Sequence, residues 1–268
     1  MATKKSVPAA APAKPAAKPK ATGTAVAVKK TTGGALVDIK AMMAAELAGL
    51  ANRTAPAGGD KIQLKDKKFH LPDGTQTDTL NVVIVDFMAV NNFYEGAYDA
   101  KNIVPPTCFA IGQIPTQMVP SDNAPVKQSD ACASCPMNQF GSAGDGKACK
   151  NMRRLAVLPP DADTDTPLWI LDVSPTGLKS FDGYVRSAAS KFGVTPIGLI
   201  TEITFAADVS YASLRFGNPE PNEQMAVHWQ RRQEATDRLT QEPDVSGYED
   251  APPARGRGAA KKVAGARR

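Results

Sequence analysis

Apolar and polar positions alternate in short blocks along most of this chain, and the blocks predict strands more often than helices. Leu80-Asn-Val-Val-Ile-Val-Asp-Phe-Met-Ala-Val90 is the clearest. Its β-branched run predicts a strand buried on both faces. Weaker runs predict strands at 62–71, closed by an Asp73-Gly74 turn, and at 103–111, where Pro105-Pro106 interrupts the pattern. Residues 152–158 and 168–173 flank an acidic loop and read as a hairpin, as do 198–205 and 209–216. Helical spacing appears three times. Leu36, Ile39, Met43, Leu47 and Leu50 predict a helix over 37–53. Leu178, Phe181, Val185, Ala188, Ala189 and Phe192 predict one that begins after Ser174-Pro-Thr-Gly and stops at Gly193. Residues 222–240 predict a last helix capped by Asn222, without a clean apolar stripe.

The element order is strand, strand, an irregular stretch, hairpin, helix, hairpin. A single helix between the third and later strands of a small barrel is the layout of an OB-fold. The fold class expected is α+β, mainly β: an OB-fold-like barrel with a four-cysteine, zinc-ribbon-like insert and flanking helices. A generic α+β sandwich gives a similar string.

The ends differ from the middle. Residues 1–34 are an Ala/Pro/Lys tail without aromatics, and 251–268 form a second basic tail, so both are expected to be disordered. One domain is expected over 35–250. Of the 32 Lys and Arg, 13 lie in the tails, leaving 19 against all 27 acids, a net −8 for the middle. The positive formal charge of the whole chain is therefore a property of its tails, which could touch phosphates without sequence preference. No apolar run approaches the roughly 18 residues needed to span a membrane. The start, Met-Ala-Thr-Lys-Lys-Ser-Val-Pro, has no signal-peptide core.

The irregular stretch holds all four cysteines, Cys108, Cys132, Cys135 and Cys149, spaced C-x23-C-x2-C-x13-C. A Cys-x-x-Cys turn brings two thiolates together, and two more complete the tetrahedron a structural zinc prefers. The surrounding insert, about 108–150, is rich in Gly, Pro, Ser and Asn and has little core of its own, so a metal could supply its ordering free energy. Zn2+ is the expected cofactor. Two disulfides, a redox pair, an iron–sulfur cluster and isolated thiols are the alternatives. Gly141-Ser-Ala-Gly-Asp-Gly-Lys147-Ala148 nearly matches a phosphate-binding loop, but Ala148 stands where the magnesium-binding hydroxyl belongs, and the segment reads as a flexible loop feeding Cys149.

Phe87, Phe93, Tyr94 and Tyr98 are the densest aromatic cluster. Exposed rings beside a strand could stack bases, whereas core packing is the ordinary role of any one ring. Phe109 and Phe140 flank the cysteines, and Lys147, Lys150, Arg153 and Arg154 form a local basic cluster that could follow phosphates. No catalytic constellation emerges. His70 and His228 sit in no recognisable motif, and Asp161, Asp163 and Asp165 lack the glycine and distal glutamate of a calcium loop. A non-enzymatic protein is expected.

Asn92-Phe-Tyr-Glu-Gly-Ala-Tyr-Asp, Val104-Pro-Pro-Thr-Cys-Phe-Ala, Cys132-Ala-Ser-Cys-Pro-Met-Asn-Gln-Phe-Gly-Ser, Gly146-Lys-Ala-Cys-Lys-Asn-Met-Arg-Arg-Leu-Ala-Val and Leu178-Lys-Ser-Phe-Asp-Gly-Tyr-Val together resemble a family of tailed-bacteriophage proteins. The likeness covers roughly 80–240. It implies an OB-like barrel, a zinc insert held by the four cysteines, and single-stranded DNA binding in phage replication or recombination in the host cytoplasm. Phage replication proteins are then the expected partners, no membrane is involved, and a homo-oligomer is left open. One departure stands out: replication-type single-strand binders end in an acidic tail, and this chain ends basic. A zinc-stabilised adaptor that docks onto a phage or host enzyme is the alternative.

Overall fold

A computed structural model describes residues 42–43, 60–96 and 103–248. The chain divides into two units, Met1–Thr54 and Ala55–Arg268. In the first, only Met42 and Met43 are described; they are helical and exposed, and the rest of the expected 37–53 helix lies outside the described residues. So do both expected tails. The boundary at residue 54 falls inside the 35–250 domain expected from composition.

In the second unit, strand β4 (Leu80–Phe93) is central. Its pairs follow an antiparallel sheet of order β7-β6-β4-β8-β9, built from β6 (Lys150–Leu158), β7 (Trp169–Val173), β8 (Leu199–Phe205) and β9 (Leu214–Pro221). One edge of β4 carries β6 from Val83 to Asn92. The opposite edge is shared: its first residues, Leu80 to Val83, pair with β8, and its last, Ala89 to Phe93, with β5 (Cys108–Gly112). A bulge between Ile84 and Asp86 lies between these two stretches. An extra residue there bends a strand and lets it serve two neighbours along one edge.

The β-branched run is buried on both faces, as its composition predicts. Leu80, Val82 and Ile84 join Leu155, Val157, Leu171 and Ile203 on one side. Val83, Val85 and Met88 join Ala156 and Leu158 on the other. Helix α1 (Leu178–Phe192) covers the first side with Phe181, Tyr184 and Ala188. It stops where Gly193 takes φ +66 and its N–H returns to the carbonyl of Ala189, a left-handed cap that suits glycine. The Tyr184 hydroxyl shares a 2.6 Å hydrogen bond with Thr201. Phe87 belongs to this core, edge-on to Phe181 at 5.0 Å. The second side is covered by Ala235 and Leu239 of helix α3 (Arg232–Leu239). The expected single C-terminal helix is two, because Arg231 (φ −85, ψ 0) separates α3 from α2 (Met225–Gln230). Asn222 does not cap that helix as one element. Its side chain is buried against the Ile197 carbonyl and His228.

The expected strand at 62–71 is a hairpin of β1 (Gln63–Lys65) and β2 (Lys68–His70), continued by β3 (Gln76–Thr77). Asp66 and Lys67 both take φ +53, the turn geometry that matches strand twist. This meander is fastened to β7 by Ile62 N–H to Ile170 O at 2.8 Å. Lys67 Nζ donates to Ala206 O at the β8–β9 turn, and Phe69 packs 4.5 Å from Phe205. No pairing of β7 with β9 is found among the described residues. The sheet is therefore open rather than a closed barrel, with the meander tied to both sides of the opening. The two hairpins expected around 152–173 and 198–216 are present, although β9 runs on to Pro221 at an edge where proline is tolerated. Replacing Phe69 by Ala is expected to lower unfolding stability by about 3–5 kcal/mol, read as a lower urea midpoint with an unchanged slope.

Candidate metal centre and nucleic-acid surface

The cysteine insert leaves β4 and returns to the sheet at β6. Cys108 opens β5 opposite Phe93, and Cys149 immediately precedes β6. Cys132 and Cys135 lie on a turn followed by a 3-10 turn at Pro136–Asn138. The proline occupies a first-turn position where its missing N–H costs nothing. The turn is closed by Asn138 N–H to Cys135 O at 3.0 Å and Asn138 Nδ2 to Cys132 O at 2.7 Å. Cys149 N–H reaches Met137 O at 2.8 Å, bringing the last cysteine back to the knuckle.

The segment from Gly141 to Ala148 is not a flexible loop. Gly141 and Gly144 take φ +88 and +61, and Gly146 O accepts N–H groups of Gly141 and Ala143. Ser142 Oγ accepts the Ala148 N–H. A strand, not a helix, follows, so the context of a phosphate-binding loop is missing.

All four cysteines are free thiols, and all four line one small cavity of about 10 Å³. That is about the least space that could hold a single water. Among the described residues no three potential ligand side chains are drawn together as a ready-made metal set. Burial pushes the Cys108, Cys132 and Cys149 thiols up, and charge on neighbouring cysteines adds to the shift in each. Cys149 reaches about 12. Two donors work in the opposite sense: the Gln128 backbone N–H toward Cys108 and the Asn91 side chain toward Cys132. Buried thiols that raise one another's pKa are a donor set suited to a divalent cation, which offsets both burial and repulsion.

The sign of the metal-free pH dependence follows. A native thiol at about 12, against about 9 when unfolded, holds its proton more tightly in the folded state. Its stabilising contribution is full below pH 9 and declines as pH rises from 9 toward 12. Denaturant midpoints measured in excess chelator are expected to fall across that window.

The expected nucleic-acid contacts separate. Phe140 is 79% exposed on the knuckle, with Lys147 Nζ 5.1 Å from its ring centroid. Lys150 is exposed beside it in sequence. Tyr94 is 40% exposed, and burial, with the charge of Asp172, raises its hydroxyl pKa. Phe93 is half-buried against the group formed by Cys108, Phe109 and Ala124. Tyr98 lies outside the described residues. Phe109 is 1% exposed, so its ring has no face for a base and serves packing instead. Arg153 and Arg154 point to opposite faces of β6, as neighbouring strand residues do, and each is engaged within the fold. Arg153 pairs with Asp182 at 3.4 Å. Arg154 lies 3.7 Å from Asp172 and donates to the carbonyls of Leu239 and Gln241.

Two features escaped sequence reading. Tyr211 is 54% exposed in the β8–β9 turn, and Asn91 and Asn151 are paired beside the cysteines. The polar doublet Asn91-Asn92 ending an apolar run was the available signal. His228 is fully buried, with Nδ1 2.9 Å from Asn222, and burial lowers its pKa, which is a packing role. Asp163 closes a local turn through Thr166 and Asp165. No helix among the described residues is long and apolar enough to cross a membrane. Comparison of the chain with family models, with curated proteins and with solved structures found no match.

Proposed function

We propose that this protein binds single-stranded DNA through an OB-like sheet whose first inter-strand connection carries a zinc knuckle. In chain order, β4, β6, β7, β8 and β9 stand as strands one to five, with α1 between the third and fourth. The first strand pairs with the second and the fourth, and the assembly is left partly open. On this reading the cysteine insert is the loop between strands one and two, and Ala206–Ser213, bearing Tyr211, joins strands four and five. Those two loops are where the fold holds oligonucleotides.

The observation that carries the reading is the Phe140–Lys147 pair. It is an exposed aromatic face with a cation beside it, on a turn fixed by its own hydrogen bonds in the first of those loops. A base stacked on Phe140 would place its phosphate near Lys147 and Lys150, and Tyr94 is a second candidate platform. Cys108, Cys132, Cys135 and Cys149 would hold the zinc, whose part is structural: it fixes the knuckle that presents the ring. The likeness to phage replication binders supports the same reading and implies replication or recombination partners.

Fluorescence anisotropy of the full chain with labelled single-stranded and duplex oligonucleotides across a salt series tests it. Single strands are expected to bind more tightly at every salt concentration, with a component that survives high salt because stacking is not screened. Equal, wholly salt-sensitive binding of both forms would refute the reading. The net −8 of residues 35–250 favours a second one, a zinc-stabilised adaptor for a protein partner, for which the oligonucleotide series would show no binding outside the tails.

A further inference from the structure

The metal-side cavity is bounded on one flank by the sheet itself. Asn91 is the last buried polar residue of an otherwise apolar stretch of β4, only 6% exposed. A buried carboxamide needs partners for both its ends. Asn151 stands directly opposite on β6 and donates Nδ2 to Asn91 Oδ1 at 2.7 Å. With its oxygen occupied, Asn91 has only its amide protons left for the cavity it lines with the four cysteines. Ala110 stands opposite Asn91 on β5 and belongs to the same buried cluster as Cys132, so the sulfur on that flank of the cavity is that of Cys132. If the Asn91 carboxamide turned over alone, two NH2 groups would stand face to face and an oxygen would face a thiolate.

We propose that Asn91 and Asn151 are positioning residues of the metal centre: Asn151 orients Asn91, and Asn91 directs an N–H at the sulfur of Cys132. This rests on the zinc reading above and extends it to the sheet. Four thiolates on Zn2+ leave the centre with two excess negative charges, and N–H donors to sulfur withdraw part of that charge. Part of the support for the centre thus comes from β4 and β6, which makes the knuckle's orientation a property of the sheet and not of the loop alone.

The test uses the full chain loaded with Zn2+ or Co2+. Asn91→Leu removes the donor at nearly constant volume. Asn151→Asp replaces the donor to Asn91 by an acceptor, so the carboxamide turns and its oxygen faces Cys132. Ser134→Ala, on the same turn but bonded only to Ala131 O, is the control. Each asparagine variant is expected to weaken zinc about 10–100-fold in chelator competition and to shift the sulfur-to-cobalt charge-transfer band, while the control does neither. The band separates loss of the N–H···S bond from a general loss of packing. If Asn91→Leu does not fold, the partly exposed Asn151→Asp carries the test. Parental affinity and an unshifted band in the asparagine variants would overturn this inference and leave the zinc reading standing. A parental chain that takes up no stoichiometric metal would overturn both.

Discussion

Replacing Cys135 by Ser is expected to abolish stoichiometric zinc uptake and to disorder the insert while the sheet remains folded. Cys135 supplies one of four expected ligands and begins the 3-10 turn that carries Met137, whose carbonyl holds Cys149. Structural zinc contributes an apparent 10–16 kcal/mol, roughly, in small metal-folded peptides. A whole domain is stable by only about 5–15 kcal/mol. The insert's own apolar groups are few: Ala110, Met118 and Cys132 pack on Ala89 of β4, and Cys108, Phe109 and Ala124 form another group. They are too small to order some forty residues against their chain entropy. The sheet has separate cores on both faces. Metal analysis combined with amide exchange checks this. Protection is expected to vanish between residues 113 and 149 and to persist in β4, β6 and β8. Unchanged protection in the insert would show that it is ordered without metal.

On the proposed function, replacing Phe140 by Ala is expected to weaken single-strand binding by about 1–3 kcal/mol, the range for one base stacked on an aromatic ring. At 1.4 kcal/mol per decade this is roughly a 5–150-fold rise in Kd. Because the ring is 79% exposed, the same change shifts unfolding stability by no more than about 0.5 kcal/mol. The contrast between the two readouts is the point of the experiment. A buried ring such as Phe109 would lose stability first and binding only as a consequence. Anisotropy titrations beside urea melts separate the cases, and full affinity in the Phe140 variant would remove the knuckle from the binding surface.

What could be read from the chain alone depended on whether the decisive interaction was local. The run from Leu80 to Val90 specified a strand buried on both faces because β-branching and apolarity are properties of the residues themselves. The helix ending at Gly193 was legible for the same reason, since a left-handed cap announces itself by glycine. The β1–β2 turn was not. Asp66 and Lys67 enter positive φ without the Asn-Gly signature, held there by the pairing of Leu64 with Phe69 and by the bond from Lys67 to Ala206. Phe109 and Phe140 look alike in sequence, each near a cysteine. One is sealed beneath the insert because β5 docks on β4, and the other projects from a turn. That four cysteines spread over some forty residues line one cavity could be expected from spacing, but the presence of Asn91 in that lining, paired with Asn151, could not, because the two asparagines are 60 positions apart. The basic cluster failed for a simpler reason: adjacent strand residues face opposite ways, so Arg153 and Arg154 were separated as soon as 150–158 became β6.

On the proposed function, binding belongs to the folded unit and not to the basic tails, and one titration addresses that most directly. A zinc-loaded chain of residues 55–250 is measured by anisotropy against single-stranded and duplex oligonucleotides across a salt series. Retained, salt-resistant preference for single strands is the predicted result. Loss of all binding, with the full chain still holding both forms weakly at low salt, would contradict it and assign every nucleic-acid contact to the tails.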